Sequence, residues 1–217
     1  MKIKYWSDYA CPYCYIGETM LKQALDELGV FYEMEMKAFE LNPYAKKGAG
    51  GDVVAMFAAK YQLDLDDAKA KVESINDMAR EAGLDFDYSK VFHTNTFDAH
   101  RLTRLALEKG GIALQNEVSE RLYRAYFTDH VDVGDHEVLV GIAKEAGLDE
   151  TEVRSMLSGK TYSDEVSLDE REAQLSRITS VPCFVINEKV AIPGAMPKAQ
   201  FIELIKKYFA AEIPTAV

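Results

Sequence analysis

The 217-residue sequence predicts an α/β fold, a small domain of strands and helices interrupted by a large all-helical insertion. Three observations predict it. Short alternating apolar runs, the mark of strands, occur near both ends of the chain. Between Asp52 and about Ile178 there is no proline and no convincing strand, only amphipathic spacing punctuated by glycines and acidic caps. A Cys-x-x-Cys pair opens the first helical pattern, and a Val-Pro pair opens a strand pattern about 170 residues later.

In chain order, "KIKYWS" (2–7) alternates lysine with apolar or aromatic side chains, as a half-buried strand does, and runs into a turn at Asp8. After the cysteines, "IGETMLKQALDELG" places Ile16, Met20, Leu21, Leu25 and Leu28 at helical spacing, with Gly29 as the stop. The alternation in 30–41 predicts a second strand within that span, and "NPYAKKGAGG" is a loop by its proline and glycines. Seven helices are then expected, over 52–62, 64–83, 96–110, 111–129, 134–147, 149–159 and 162–180. Two short runs follow, 183–186 and 189–192, which Asn187 and Glu188 join as a tight hairpin. A last amphipathic helix begins near Met196. The expected division is therefore residues 1–43 with 179–217 as the α/β domain and 44–178 as the inserted helical domain.

Charge and cysteine content narrow the function. With 25 basic against 36 acidic residues the net charge is −11, which disfavours nucleic acid and anionic membrane as partners because most of the surface repels phosphate. No segment reaches the roughly 20 apolar residues of a membrane span, and the N-terminus lacks the pattern of a secretory signal. A cytoplasmic location is the expectation. Three cysteines, an odd number, do not make a secreted disulfide framework.

"DYACPYCYIG" (8–17) carries the chemistry. A free thiol with pKa about 8.5 supplies only a few per cent of the reactive thiolate near neutrality. At a helix N-terminus, unpaired amides and the positive end of the helix dipole stabilise the negative sulfur, most strongly at the first cysteine. Cys11 is thus the expected attacking sulfur. Cys14, one turn on and less exposed, is the resolving one. Pro12 suits the first turn, where its missing N–H costs little. A zinc site needs about four ligands, and beyond Cys183 the chain offers only His93, His100, His130 and His136, which form no second compact clip. A structural staple would close a very small loop in a reducing compartment.

Ser180-Val181-Pro182 adds a second element. On its own Pro182 reads equally as a strand-initiating residue. Together, the Cys11-Pro12-Tyr13-Cys14 helix, the long helical insertion, Ser180-Val181-Pro182 and "FVINEKVAIPGAMP" resemble the DsbA-like thioredoxin-fold oxidoreductases over nearly the whole chain. The segment "HTNTFDAHRL" (93–102) is similar to that of their cytoplasmic FrnE-like branch, a subgroup of predicted dithiol-disulfide isomerases. The resemblance implies a thioredoxin fold with a helical roof over the dithiol. It also implies a cis peptide before Pro182, opposite the cysteines, with Val181 holding substrate in extended pairing. Pro-Tyr stands between the cysteines where the periplasmic oxidant has Pro-His, so its oxidising strength does not carry over.

Other residues have two readings each. Tyr13 and Tyr15 line a substrate groove or pack under the roof, Tyr13 being expected to be exposed. Asn95 faces the dithiol, as the resemblance implies, or caps the helix starting near Phe97. Arg101 reads as a surface salt-bridge partner, His100 as lying one turn into that helix, and Asp8 as a turn cap or a proton carrier for the thiol. Cys183 reads as a small buried strand residue in preference to a third active thiol.

The expected function is a cytoplasmic thiol–disulfide oxidoreductase or isomerase with Cys11, Cys14 and Pro182 as the catalytic set, and Pro12, Tyr13, Val181 and Asn95 against substrate. No cofactor or metal is called for. Substrates are disulfide-containing proteins or small-molecule thiols and disulfides, glutathione among them. Apolar residues on two-faced helices suit a homodimer as well as internal packing. The alternatives are a glutathione-dependent isomerase or transferase, resembling 2-hydroxychromene-2-carboxylate isomerase and kappa-class glutathione transferases, and a non-enzymatic chaperone-like module.

Overall fold

A computed structural model describes residues 1–214. Its sheet has four strands in the order β2-β1-β3-β4: β1 (Lys2–Ser7), β2 (Glu33–Ala38), β3 (Cys183–Ile186) and β4 (Val190–Pro193). β1 pairs parallel with β2 and antiparallel with β3, and β3 pairs antiparallel with β4. A parallel pair requires a crossover; here it is α1 (Pro12–Glu27), which packs against the last helix, α8 (Lys198–Phe209). Alternation decides which strand residues are buried: Ile3 and Tyr5 on β1, and Met34 and Met36 on β2, are almost wholly covered.

Between β2 and β3 lie α2 (Val53–Tyr61), α3 (Leu65–Glu81), α4 (Phe97–Phe127), α5 (His136–Glu145), α6 (Glu150–Ser158) and α7 (Ser163–Leu175), with one 3₁₀ turn at Tyr88–Lys90. The acidic residues read as caps are caps. The side chains of Asp52, Asp64, Asp135 and Asp149 each accept a hydrogen bond from an amide in the first turn of α2, α3, α5 and α6. The two helices expected over 96–110 and 111–129 form one element, α4, broken by non-helical backbone at Gly110 and Gly111. The hairpin turns at Asn187 and Glu188, both in the left-handed region, and its second strand starts one residue later than expected.

The insertion closes one sheet edge. On β2, the amide and carbonyl of Met36 are matched by the Gln115 side chain from α4 (3.1 and 3.0 Å), and the Ala38 amide donates to Asp169 of α7 (3.2 Å). A bare strand edge is an invitation to pair with other chains; here two helices occupy it. The fold class expected from the sequence is the one observed, with the helical insertion between the second and third strands.

Candidate active site

Cys11 is the N-cap of α1, with Pro12 in the first helical turn and no side chain capping the exposed amides. The preceding turn is fixed by main chain, the Cys11 amide donating to Asp8 O (3.0 Å) and the Cys14 amide to Cys11 O (3.1 Å). Both cysteines are free and buried; Cys11 is 3% exposed and Cys14 fully covered. Burial pushes the Cys14 thiol well above the ordinary range, and the neighbouring Cys11 adds to this, while the Ser7 hydroxyl and the Asp8 backbone work the other way.

Opposite α1, the Val181–Pro182 peptide is cis, and Cys11 Sγ lies 3.7 Å from Val181 O. Pro182 presses on the same helix: a Cβ added to Gly17 would meet its Cγ at 3.0 Å. The structure thus brings Cys11, Cys14, Val181 and Pro182 together from opposite ends of the chain. Cys183 begins β3, where it is buried, pairs in register with Trp6 and Pro193, and has its thiol pushed up by burial.

Above Cys11 opens a cavity of about 460 Å³. Its floor is Asp8, Cys11 and Pro12; its walls come from the 41–49 loop, from α2 and from the 88–96 segment. Tyr13 stands in its rim, 39% exposed as anticipated. Tyr15 does not reach it. It is buried under the roof, stacked on Tyr123 (4.8 Å between centroids) with its hydroxyl on Glu120.

Asp8 is more than a turn cap. Its carboxylate is buried and accepts from the amides of Ala10 (3.2 Å) and Leu41 (2.7 Å) and from the Thr96 hydroxyl (2.8 Å), with His100 Nε2 3.6 Å away. His100 itself is buried against the Tyr9 ring. Around this pair, burial raises Glu40 to about 6, with Glu170 and Asp8 adding to the rise, and His100 and Asn95 opposing it.

Two expectations need correction. Asn95 is not among the residues lining the cavity, although Thr94 and Thr96 on either side of it are. Its amide donates to Glu40 and its oxygen accepts the Phe97 amide (both 3.0 Å), which occupies its side chain one residue before the N-cap of α4, Thr96. Arg101 is no surface residue. It is 3% exposed, and its guanidinium donates to Asp98 and to the carbonyls of Met156, Gly159 and Thr161, tying α4 to the end of α6. Of the 93–102 segment that the resemblance set beside the dithiol, His93, Thr94 and Thr96 do line the cavity; sequence reasoning missed Leu41, Tyr44, Lys46, Lys60 and Tyr88, which nothing in local spacing signals, because the chain's return over α1 is what places them there.

Comparison with known proteins agrees with this fold. The model of the DSBA-like thioredoxin domain matches residues 2–206. The uncharacterized protein YwbO of Bacillus subtilis is 31% identical over 208 residues, 94% of each chain. The crystal structure of a probable DsbA oxidoreductase from Streptomyces coelicolor superposes with a TM-score of 0.88 at 34% identity, covering 100% of this chain and 93% of that one. A 2-hydroxychromene-2-carboxylate isomerase shares the fold, with a TM-score of 0.69 at 13% identity and 97% and 96% coverage.

Proposed function

The chain belongs to the DSBA-like thioredoxin domain family, and from that premise we propose that Cys11 and Cys14 are the working dithiol of a thiol–disulfide oxidoreductase. The observation that carries the reading is the placement of Cys11: at the open N-terminus of α1, one turn before Cys14 and 3.7 Å from the carbonyl that precedes Pro182. A thiolate formed there meets the positive end of the helix, with no side chain capping the first turn in its place.

Chemistry then follows in two exchanges. The Cys11 thiolate attacks one sulfur of a substrate disulfide, forming a mixed disulfide and releasing the other sulfur as a thiolate. Cys14, held as the thiol by burial, gives its proton to the departing thiolate or to water and attacks Cys11 Sγ. The second substrate thiolate leaves, the substrate gains two electrons and the protein holds a Cys11–Cys14 disulfide. Run backwards, the same steps oxidise a dithiol substrate. Val181 and Pro182 set the backbone against which the mixed disulfide lies, and Pro12 and Tyr13 border its entry. We read the setting as cytoplasmic and the branch as FrnE-like, which the 93–102 segment supports by lying beside the dithiol.

A glutathione-dependent isomerase needs one nucleophile or donor at the position of Cys11; the buried Cys14 sulfur favours the redox reading over it. The test is exchange between the reduced protein and the neutral disulfide of 2-mercaptoethanol. Cys11→Ser should lower the rate by at least about 10³-fold, the scale of losing a catalytic nucleophile, and retention of the wild-type rate by that variant would refute the proposal.

A further inference from the structure

The cavity over Cys11 has a chemistry of its own. Cys11 is only 3% exposed and stands in the lining of that cavity, which gives a disulfide a way to its sulfur. Its 460 Å³ falls in the range of about 300–1,000 Å³ that small-molecule sites occupy. Its walls are largely apolar and aromatic, with Tyr44, Phe57, Tyr61 and Tyr88 among them.

Charge is distributed unevenly around it. The whole chain carries −11, yet the cavity is bordered by two lysines, Lys46 and Lys60, and by a single carboxylate, Asp8. That carboxylate is buried and already accepts three hydrogen bonds. Both lysines are exposed, and among the described residues neither pairs with a carboxylate. His93, the other basic side chain in the wall, is disfavoured as a cation, because burial and the Lys60 charge both lower its pKa. Two unpaired cations at the mouth of an apolar pocket on an acidic protein focus an attractive field for an anion onto the attacking sulfur.

We propose that the substrate of this dithiol is a low-molecular-weight disulfide bearing carboxylate groups on an apolar body, its sulfur reaching Cys11 through the cavity while Lys46 and Lys60 hold a carboxylate at the rim. The inference rests on the dithiol reading above and narrows it from disulfides in general to one chemical class. The reaction balances as described there: two substrate thiols form as Cys11 and Cys14 are oxidised, with the protein's own dithiol as the reductant.

The test measures the oxidation of reduced protein by three disulfides of graded charge: 3,3′-dithiodipropionate (anionic), the neutral disulfide of 2-mercaptoethanol, and cystamine (cationic). The two-dalton mass loss on Cys11–Cys14 closure is followed at low ionic strength. Each rate is divided by that for free 2-mercaptoethanol attacking the same compound, which removes intrinsic reactivity. The expected result is a preference of about tenfold or more for the anion over the cation, the scale of electrostatic focusing. It should shrink toward unity in the Lys46→Ala, Lys60→Ala double variant, whose exposed, unpaired side chains can be removed without leaving a buried group unsatisfied. No preference for the anion, a preference untouched by the double variant, or faster reaction with the disulfides of insulin than with dithiodipropionate would each overturn the inference and leave the dithiol reading standing. Failure of all these disulfides to react would overturn both.

Discussion

Glu40 shows how single side chains near the dithiol are set by neighbours remote in sequence. It stands with Asp8 and Glu170 around His100, and burial lifts its carboxyl to about 6. Because the folded value lies above the ordinary 4.5, the neutral form is the one the fold prefers. Its contribution is complete below about pH 4.5 and is lost as pH rises through about 6. Glu40→Gln keeps a partner for Asn95 without the charge, so its urea midpoint should gain on that of wild type as pH rises from 5 to 8. A difference independent of pH would show that Glu40 does not titrate in that window. At this scale the sequence was legible where chemistry is local: spacing alone put Cys11 at a helix start, Cys14 one turn deeper and Tyr13 in the open. It was silent on Arg101, whose carbonyl partners at Met156, Gly159 and Thr161 lie more than 50 residues away. No periodicity announces a guanidinium that caps another helix.

Among the elements, α4 is the one whose continuity depends on glycine. Gly111 has φ 66° and ψ −164°, a conformation open to glycine and strained for any side chain, and a Cβ on Gly110 would meet Leu114 Cβ at 2.6 Å. The break separates the half that carries His100, 3.6 Å from Asp8, from Gln115, which covers the edge of β2. Gly111→Ala should therefore cost about 1–3 kcal/mol of unfolding free energy in urea titration, and an unchanged midpoint would count against a required break. The glycine pair was readable as a boundary between two amphipathic patterns, as were the acidic caps and the Asn187–Glu188 turn, because all three act through neighbours a few residues apart. The 3₁₀ turn at Tyr88–Lys90 was not, since it depends on the Asn76 side chain accepting the Tyr88 amide (2.8 Å) from a different helix.

For the molecule as a whole, the interrupted order of elements was enough to expect two ends of the chain meeting in one sheet. The meeting itself places Pro182 against α1 and Val181 O beside Cys11. What the order could not supply was the cavity, whose walls are assembled from a loop, a helix and an extended approach that share no local pattern. The helical insertion does three things at once in this arrangement: it covers the β2 edge at Met36 and Ala38, helps to bury Asp8 beside the dithiol, and walls the cavity that leads to the attacking sulfur. The central claim is that this passage ends on Cys11 as nucleophile with Cys14 as resolver. The most direct test is to expose the reduced Cys14→Ser variant to the disulfide of 2-mercaptoethanol and map the adduct by mass spectrometry. A single mixed disulfide on Cys11, with Cys183 unmodified in the folded protein, is the predicted result; an adduct on Cys183 with Cys11 left free would contradict the account.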